Sequence, residues 1–300
     1  MKNDKWTLEN IPDQRGKIVI VTGANSGIGY EAARALARKG ANVIMACRSL
    51  EKGEAAVAQI RRENLQGDVI LRQLDLADLS SVRNFADEFL AEYKQLNILI
   101  NNAGVMAIPY RKTKDGFEMQ FGTNHLGHFA LTGLLFELLI NTPNSRVVTV
   151  SSYAHIVGKI NFDDLNSEKS YQKWLAYGQS KLANLLFAYE LQRRSAKKGD
   201  NPISIAVHPG YAATNLQNSS SFFSFTNNFM AQSQEMGALP TLYAATNPEI
   251  EGGEFIGPDG FLAQRGYPHK ARSSARSYDP ETAQRLWQVS EKLTGVRFDV

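Results

Sequence analysis

The chain has 300 residues, 43% of them hydrophobic and 21% charged, the balance of a globular protein able to bury a substantial core. A formal net charge of +3 is small for that length and requires neither nucleic acid nor an anionic membrane as partner. The single cysteine, Cys47, excludes an intrachain disulfide and fits a reducing compartment.

The N-terminal stretch Met1–Gly16 is polar and broken by Pro12, so neither a secretory signal nor a membrane anchor is expected there. Short Val- and Ile-rich runs follow at Lys17–Val21, Asn42–Ala46, Val69–Leu74, Asn97–Ile100, Arg146–Val150 and Ile203–Val207. None alternates with polar residues, the pattern of strands buried on both faces of a parallel sheet. Helical segments at Ile28–Lys39, Glu51–Glu63, Ser80–Tyr93 and Tyr171–Lys197 alternate with them. That order implies right-handed βαβ crossovers and a doubly wound parallel sheet, a Rossmann-type three-layer α/β sandwich. No linker interrupts the pattern, so residues 1–300 read as a single domain with an N-terminal extension over 1–15.

A helix through Leu126–Ile140 is apolar almost all round, with Phe129, Leu131, Leu134, Leu135, Phe136, Leu138 and Leu139. It is too short to span a bilayer and must be covered on two sides. The sheet covers one. A second subunit is the expected cover for the other, making a homo-oligomer, with a cover from the same chain as the alternative.

After Gly210 the character changes. A Ser- and Asn-rich stretch carries Phe222, Phe223, Phe225 and Phe229, and reads either as a poorly packed loop or as an apolar lid over residues 211–232. Gln234–Thr246 looks helical, Glu254–Ile256 suits a last edge strand, and Asp279 suits the cap of a final helix ending before Gly295. The basic stretch His269, Lys270, Arg272 and Arg276 reads as a solvated loop.

The first strand ends in Thr22-Gly23-Ala24-Asn25-Ser26-Gly27-Ile28-Gly29, and a helix follows at once. Glycines let a phosphate approach the main chain, and a helix start offers it free N–H groups and a positive dipole end. A tight turn without ligand is the alternative, since such motifs are weak alone.

The Gly-x-x-x-Gly-x-Gly spacing with Thr22 resembles the fingerprint of the short-chain dehydrogenase/reductase family. The resemblance continues in family order through Asn101-Asn102-Ala103-Gly104, Asn124 in Asn-His-Leu-Gly, Ser151-Ser152, Tyr177-Gly-Gln-Ser-Lys181 and Pro209-Gly210, over about residues 15 to 260. It implies a nicotinamide dinucleotide held by Gly23, Asn25, Ser26, Gly27, Ile28 and Gly29. Asp75 and Leu76 would contact adenine, Asn102, Ala103 and Gly104 would line the adenosine ribose side, and Thr214 would contact the carboxamide beyond Pro209 and Gly210. An acidic residue at the end of the second strand would hold the 2′-hydroxyl of NAD. Here Ala46-Cys47-Arg48 stands instead, and Arg48 suits a 2′-phosphate, so NADP(H) is expected.

Tyr177 and Lys181, four apart on a predicted helix, share a face. A neighbouring ammonium, with the positive nicotinamide ring, favours the phenolate and makes the pair a proton-transfer unit. By the resemblance, Tyr177 is the general acid/base, Ser152 rather than Ser151 holds the substrate oxygen, Lys181 also holds the nicotinamide ribose, and Asn124 positions a water. The inserted segment Lys159 to Trp174, with Ala-Cys-Arg after the second strand, resembles the retinol dehydrogenase-like branch, and the insertion is expected at the rim of the site. His125, His128, His155 and His208 lack metal-ligand spacing, so no metal is expected, and His155 is placed near enough to touch substrate. The expected protein is a cytoplasmic oxidoreductase acting on a hydrophobic aldehyde, ketone or alcohol. The competing readings are an NADP(H)-binding sensor or scaffold without catalysis, and a carbon–carbon double-bond reductase.

Overall fold

The aliphatic runs fold as parallel strands because they have no polar face to leave in water. The computed structural model describes residues 5–199, 201–210, 233–260 and 264–298. Strands β1 (Ile18–Thr22), β2 (Asn42–Cys47), β3 (Asp68–Gln73), β4 (Ile98–Asn101), β5 (Arg146–Val150), β6 (Ile203–Val207) and β7 (Phe255–Pro258) all run parallel. With β8 (Pro268–Ala271) antiparallel at the edge, the order is β3-β2-β1-β4-β5-β6-β7-β8. Strand order reverses direction between β1 and β4, and the crevice over such a switch point is where open α/β sheets bind ligands.

Helices α1 (Gly27–Arg38), α2 (Leu50–Ile60), α3 (Leu79–Glu92), α4 (Met119–Phe121), α5 (Gly127–Leu134), α6 (Phe136–Asn141), α7 (Lys173–Ser195), α8 (Gln234–Thr246) and α9 (Pro280–Thr294) flank the sheet. Alternate strand residues divide the core between the two faces. Val19, Val21, Val43 and Met45 pack with Leu36 of α1, Ile60 of α2 and Leu242 of α8. Ile18, Ile20 and Ile44 pack with Phe89 of α3, Phe129 of α5, Phe187 of α7 and Trp287 of α9. The end signals act as expected. Asp279 accepts from Glu281 N to cap α9, Pro280 stands in its first turn, and Gly295 ends it at φ 65°.

Three expectations change. The Leu126–Ile140 helix is broken: a π-turn at Gly122–Leu126 leads into α5, and Leu135, at φ −96° and ψ 1°, separates α5 from α6. Its second side is covered by the chain itself. Phe129 lies 5.2 Å from Trp287, 5.6 Å from Phe187 and 4.8 Å from Phe298, ring centre to ring centre. The apolar run therefore needs no second subunit as its cover. Finally, the basic stretch is not a solvated loop. His269 and Lys270 lie in β8, Lys270 pairs with Glu254, and Arg276 donates to Gly158 O at 3.0 Å.

Candidate active site

A cavity of about 720 Å³ lies over the strand ends and takes in residues that follow β1, β2, β3, β4, β5 and β6. Its size is that of a small-molecule or cofactor site. At the centre, β1 turns into α1 through Gly23, whose φ of 66° suits glycine. A Cβ on Gly29 would meet the Asn102 side chain and, at 2.6 Å, Gly23 O, so that helix start can approach the β4 end only as glycine. Asn102 fastens the two together by donating from Nδ2 to Thr22 O at 2.8 Å.

Ser26 stands at the N-cap of α1 but its side chain makes no capping bond, and Gly27, Ile28 and Gly29 line the cavity. Uncapped amides at the positive end of a twelve-residue helix fit an anionic dinucleotide. Asn25, Asp75, Leu76, Asn102, Ala103, Gly104, Pro209 and Gly210 line the same cavity. Thr214 and the Phe-bearing segment lie outside the described residues.

Arg48 follows β2, is exposed and lines the cavity. Lys52, one helical turn on in α2, lines it too and escaped the sequence reading. Among the described residues neither cation forms an ion pair. Ser49, between them, caps α2 by accepting from Lys52 N. The signal was present in the sequence, since Lys52 lies four residues beyond Arg48 at a helix start.

Ser152, Tyr177 and Lys181 line the cavity at the β5 end. Three strand spacings, about 14 Å, separate the ends of β2 and β5. The Ser152 side chain neighbours the Tyr177 phenol and acts to lower its pKa. Both serines line the cavity, but Ser151 is buried with its hydroxyl donating to Lys181 O at 2.8 Å, which leaves Ser152 as the serine whose hydroxyl proton is free for a ligand. Burial pushes the Tyr177 phenol up to about 12, opposed by the Ser152 side chain. Burial also pushes the Lys181 ammonium down to about 8. Its Nζ lies 5.8 Å from the phenol ring centre and donates to Val150 O at 3.0 Å.

Asn124 lies behind the cavity wall, fully buried in the π-turn, a distortion that recurs at functional sites. Its Oδ1 accepts from Val105 N at 2.8 Å and its Nδ2 donates to Val105 O and Ser180 Oγ, each at 2.9 Å. It therefore sets the course of the chain after Gly104. His155 does not line the cavity. It is buried, with Nδ1 at 2.7 Å from Ser152 O and Nε2 accepting from Ser274 N at 3.0 Å, so it buttresses Ser152 instead of touching substrate. The insertion reaches the rim as expected: Lys173 and Trp174 line the cavity. Its path is held by Asn161 N donating to Gln179 Oε1 and by Tyr171 Oη donating to Ile108 O. Among the described residues no group of His, Cys, Asp and Glu is placed to hold a metal, and no helix is long and apolar enough to cross a membrane.

A parallel sheet with an anion-receptive loop at its switch point and a Ser–Tyr–Lys group beside it defines a dinucleotide-dependent oxidoreductase of CH–OH and C=O groups. The model of the family described as short chain dehydrogenase matches residues 17–222. Retinol dehydrogenase 12 of Mus musculus is 46% identical over 291 residues, 95% of this chain and 88% of its own length. Retinol dehydrogenase 14 of Homo sapiens is 43% identical over 303 residues, covering 94% and 87%. The crystal structure of an uncharacterised protein from Mycobacterium paratuberculosis shares 46% identity, with a TM-score of 0.83 over 99% of this chain and 100% of that one. The chain belongs to the short-chain dehydrogenase/reductase family, whose members transfer hydride with a nicotinamide cofactor, and it sits with the retinol dehydrogenase-like branch.

Proposed function

We propose that the protein is an NADP(H)-dependent oxidoreductase that interconverts a hydrophobic aldehyde or ketone and its alcohol, with Tyr177 as general acid/base. The observation that carries this reading is the placement of Ser152, Tyr177 and buried Lys181 in one cavity with Arg48 and Lys52. When bound, the dinucleotide supplies or takes the hydride at its nicotinamide ring. The amides of Gly27–Gly29 would hold its pyrophosphate, Arg48 and Lys52 its 2′-phosphate, and Lys181 its nicotinamide ribose. In reduction, Ser152 donates a hydrogen bond to the substrate oxygen and Tyr177 passes its phenolic proton to that same oxygen. The phenolate left behind is stabilised by the Lys181 ammonium. Oxidation reverses the path, with Tyr177 accepting the alcohol proton.

Tyr153, Met106 and Trp174 line the cavity near this group and favour an apolar substrate. The names of the retinol dehydrogenase relatives point the same way, so a retinoid aldehyde heads the panel of substrates to test. Cys47 offers no chemistry near substrate, being fully buried at the end of β2 with its thiol pushed up to about 11. A double-bond reductase using a thiol has no support here, and an intact Ser152–Tyr177 pair disfavours a sensor without catalysis.

The test is a titration with NADPH and NADH, followed by turnover of the panel. Tight NADPH binding with carbonyl reduction supports the proposal, and preference for NADH would overturn the reading of Arg48 and Lys52. The paired variant Arg48→Gln, Lys52→Gln is expected to weaken NADPH binding by roughly tenfold to a hundredfold, the scale of charge-assisted hydrogen bonds to phosphate. NADH, without the 2′-phosphate, should lose far less. Equal losses for both would locate the phosphate elsewhere.

Lys181, pushed down to about 8 by burial, is cationic below that pH and neutral above it. Reduction leaves a phenolate that needs this cation, so kcat for reduction should fall as pH rises through about 8. Lys181→Arg carries a charge that does not titrate in this range, and its profile should lose the alkaline limb. An unchanged limb in that variant would assign it to another group.

A further inference from the structure

Beside the site, His128 is 1% exposed and uses both ring nitrogens. Nε2 lies 2.9 Å from Thr22 Oγ1, and Nδ1 lies 3.0 Å from Asn124 O. Lone-pair accounting on Thr22 decides which nitrogen carries the proton. A hydroxyl has one proton and two acceptor positions. Both acceptor positions are taken by the amides of Asn102 and Ala103, each at 2.9 Å. The Thr22 proton is left for His128 Nε2, at 2.9 Å a better acceptor than Ile100 O at 3.3 Å. With Nε2 accepting, Nδ1 carries the ring proton and donates to the Asn124 carbonyl. The ring is neutral, because burial pushes it down to about 4.

The bonds continue on both sides. Asn124 Nδ2 donates to Ser180 Oγ, which donates to Tyr177 O at 2.8 Å. One path of hydrogen bonds therefore runs from Asn102 and Ala103 through Thr22, His128, Asn124 and Ser180 to the main chain of Tyr177. We infer that His128 is a positioning residue that holds the dinucleotide-binding segment and the general acid/base in register, through two separate ring nitrogens. Its Thr22 side acts on cofactor binding and its Asn124 side acts on turnover. The inference rests on the NADP(H)-dependent function proposed above.

The two ends can be cut separately. In His128→Asn the amide nitrogen overlays Nδ1 and keeps the bond to Asn124 O, but the side chain is too short for Thr22. In His128→Gln the terminal oxygen overlays Nε2 and keeps the bond to Thr22, while the Asn124 side is lost. NADPH dissociation constants from nucleotide fluorescence, kcat, and unfolding midpoints are measured for each. His128→Asn is expected to weaken NADPH binding about tenfold with a smaller loss in kcat, the scale of one buried hydrogen bond. His128→Gln is expected to show the reverse, with kcat down about tenfold and a smaller change in affinity. Lower midpoints with both parameters at the wild-type value, or equal losses in both variants, overturn the inference. Should neither variant fold, Thr22→Ser and Thr22→Val are compared. The valine variant should bind NADPH about tenfold more weakly than the serine variant, and equal affinity overturns the link. A wild-type protein that binds no NADPH sinks the proposed function and this inference together, whereas wild-type binding with unmoved variants sinks this inference alone.

Discussion

Replacing Tyr177 by Phe should lower kcat for carbonyl reduction by roughly 10²–10⁴-fold, the usual contribution of one positioned proton donor. The substitution is clean because the ring stays. Tyr177 is 7% exposed, its ring is 6.4 Å from that of Trp174, and α7 around it is almost wholly buried. Only the phenolic oxygen goes. Because burial pushes the phenol up to about 12, it is protonated at every pH where the protein would be assayed, and it is a donor without further tuning. Its partners set the difficulty of the reverse reaction, where a phenolate must form. The expected result is therefore a variant that binds NADPH but reduces substrate roughly 10²–10⁴-fold more slowly in single turnover. A kcat within tenfold of wild type would remove Tyr177 from the proton path and leave Ser152 as the only hydroxyl in the group.

What was legible in the sequence is what depends on short separations. The Gly23–Gly29 loop, the Tyr177 and Lys181 spacing and the Asp279 and Gly295 ends of α9 each lie within a few residues, and local geometry decides them. The strand runs were legible for a related reason: both faces of β1, β2 and β5 are buried, so hydrophobicity is continuous. Features that depend on distant residues were not. The break at Leu135 falls in a continuous run of apolar residues with no Pro or Gly at the break itself. The π-turn at Asn124 is held by Val105 and Ser180, far away in the chain. β8 looked like a basic loop because an antiparallel edge strand needs only one buried face, and Lys270 meets Glu254 across the edge. His155 was placed by its distance from Ser152 along the chain, which says nothing of the Ser274 amide that occupies its other nitrogen. The direction of the Lys181 ammonium was not legible either: i,i+4 spacing puts Lys181 on the right face, but the Val150 carbonyl decides where its ammonium points.

Trp287→Ala should destabilise the protein by about 3–5 kcal/mol, the cost of truncating a large aromatic in a packed core. Trp287 is 2% exposed and closes the aromatic cluster over α5, with ring centres 5.2 Å from Phe129, 5.8 Å from Phe187 and 4.5 Å from Phe298. The Arg194 guanidinium lies 4.4 Å from its ring centre, and its indole N–H donates to Glu291 at 3.0 Å. A large loss is expected because few of these partners can collapse into the space: Phe129 is held on the helix that follows the π-turn, and Phe187 on α7. The measurement is the urea midpoint and slope of the purified variant, with the oligomeric state followed by sedimentation. The result bears on more than stability. If α9 is what covers the apolar helix, the variant loses several kcal/mol and gains a tendency to self-associate as Phe129 and Phe136 become accessible. A loss below about 1 kcal/mol would mean that the cluster contributes little to holding α5, since even modest core truncations exceed that value.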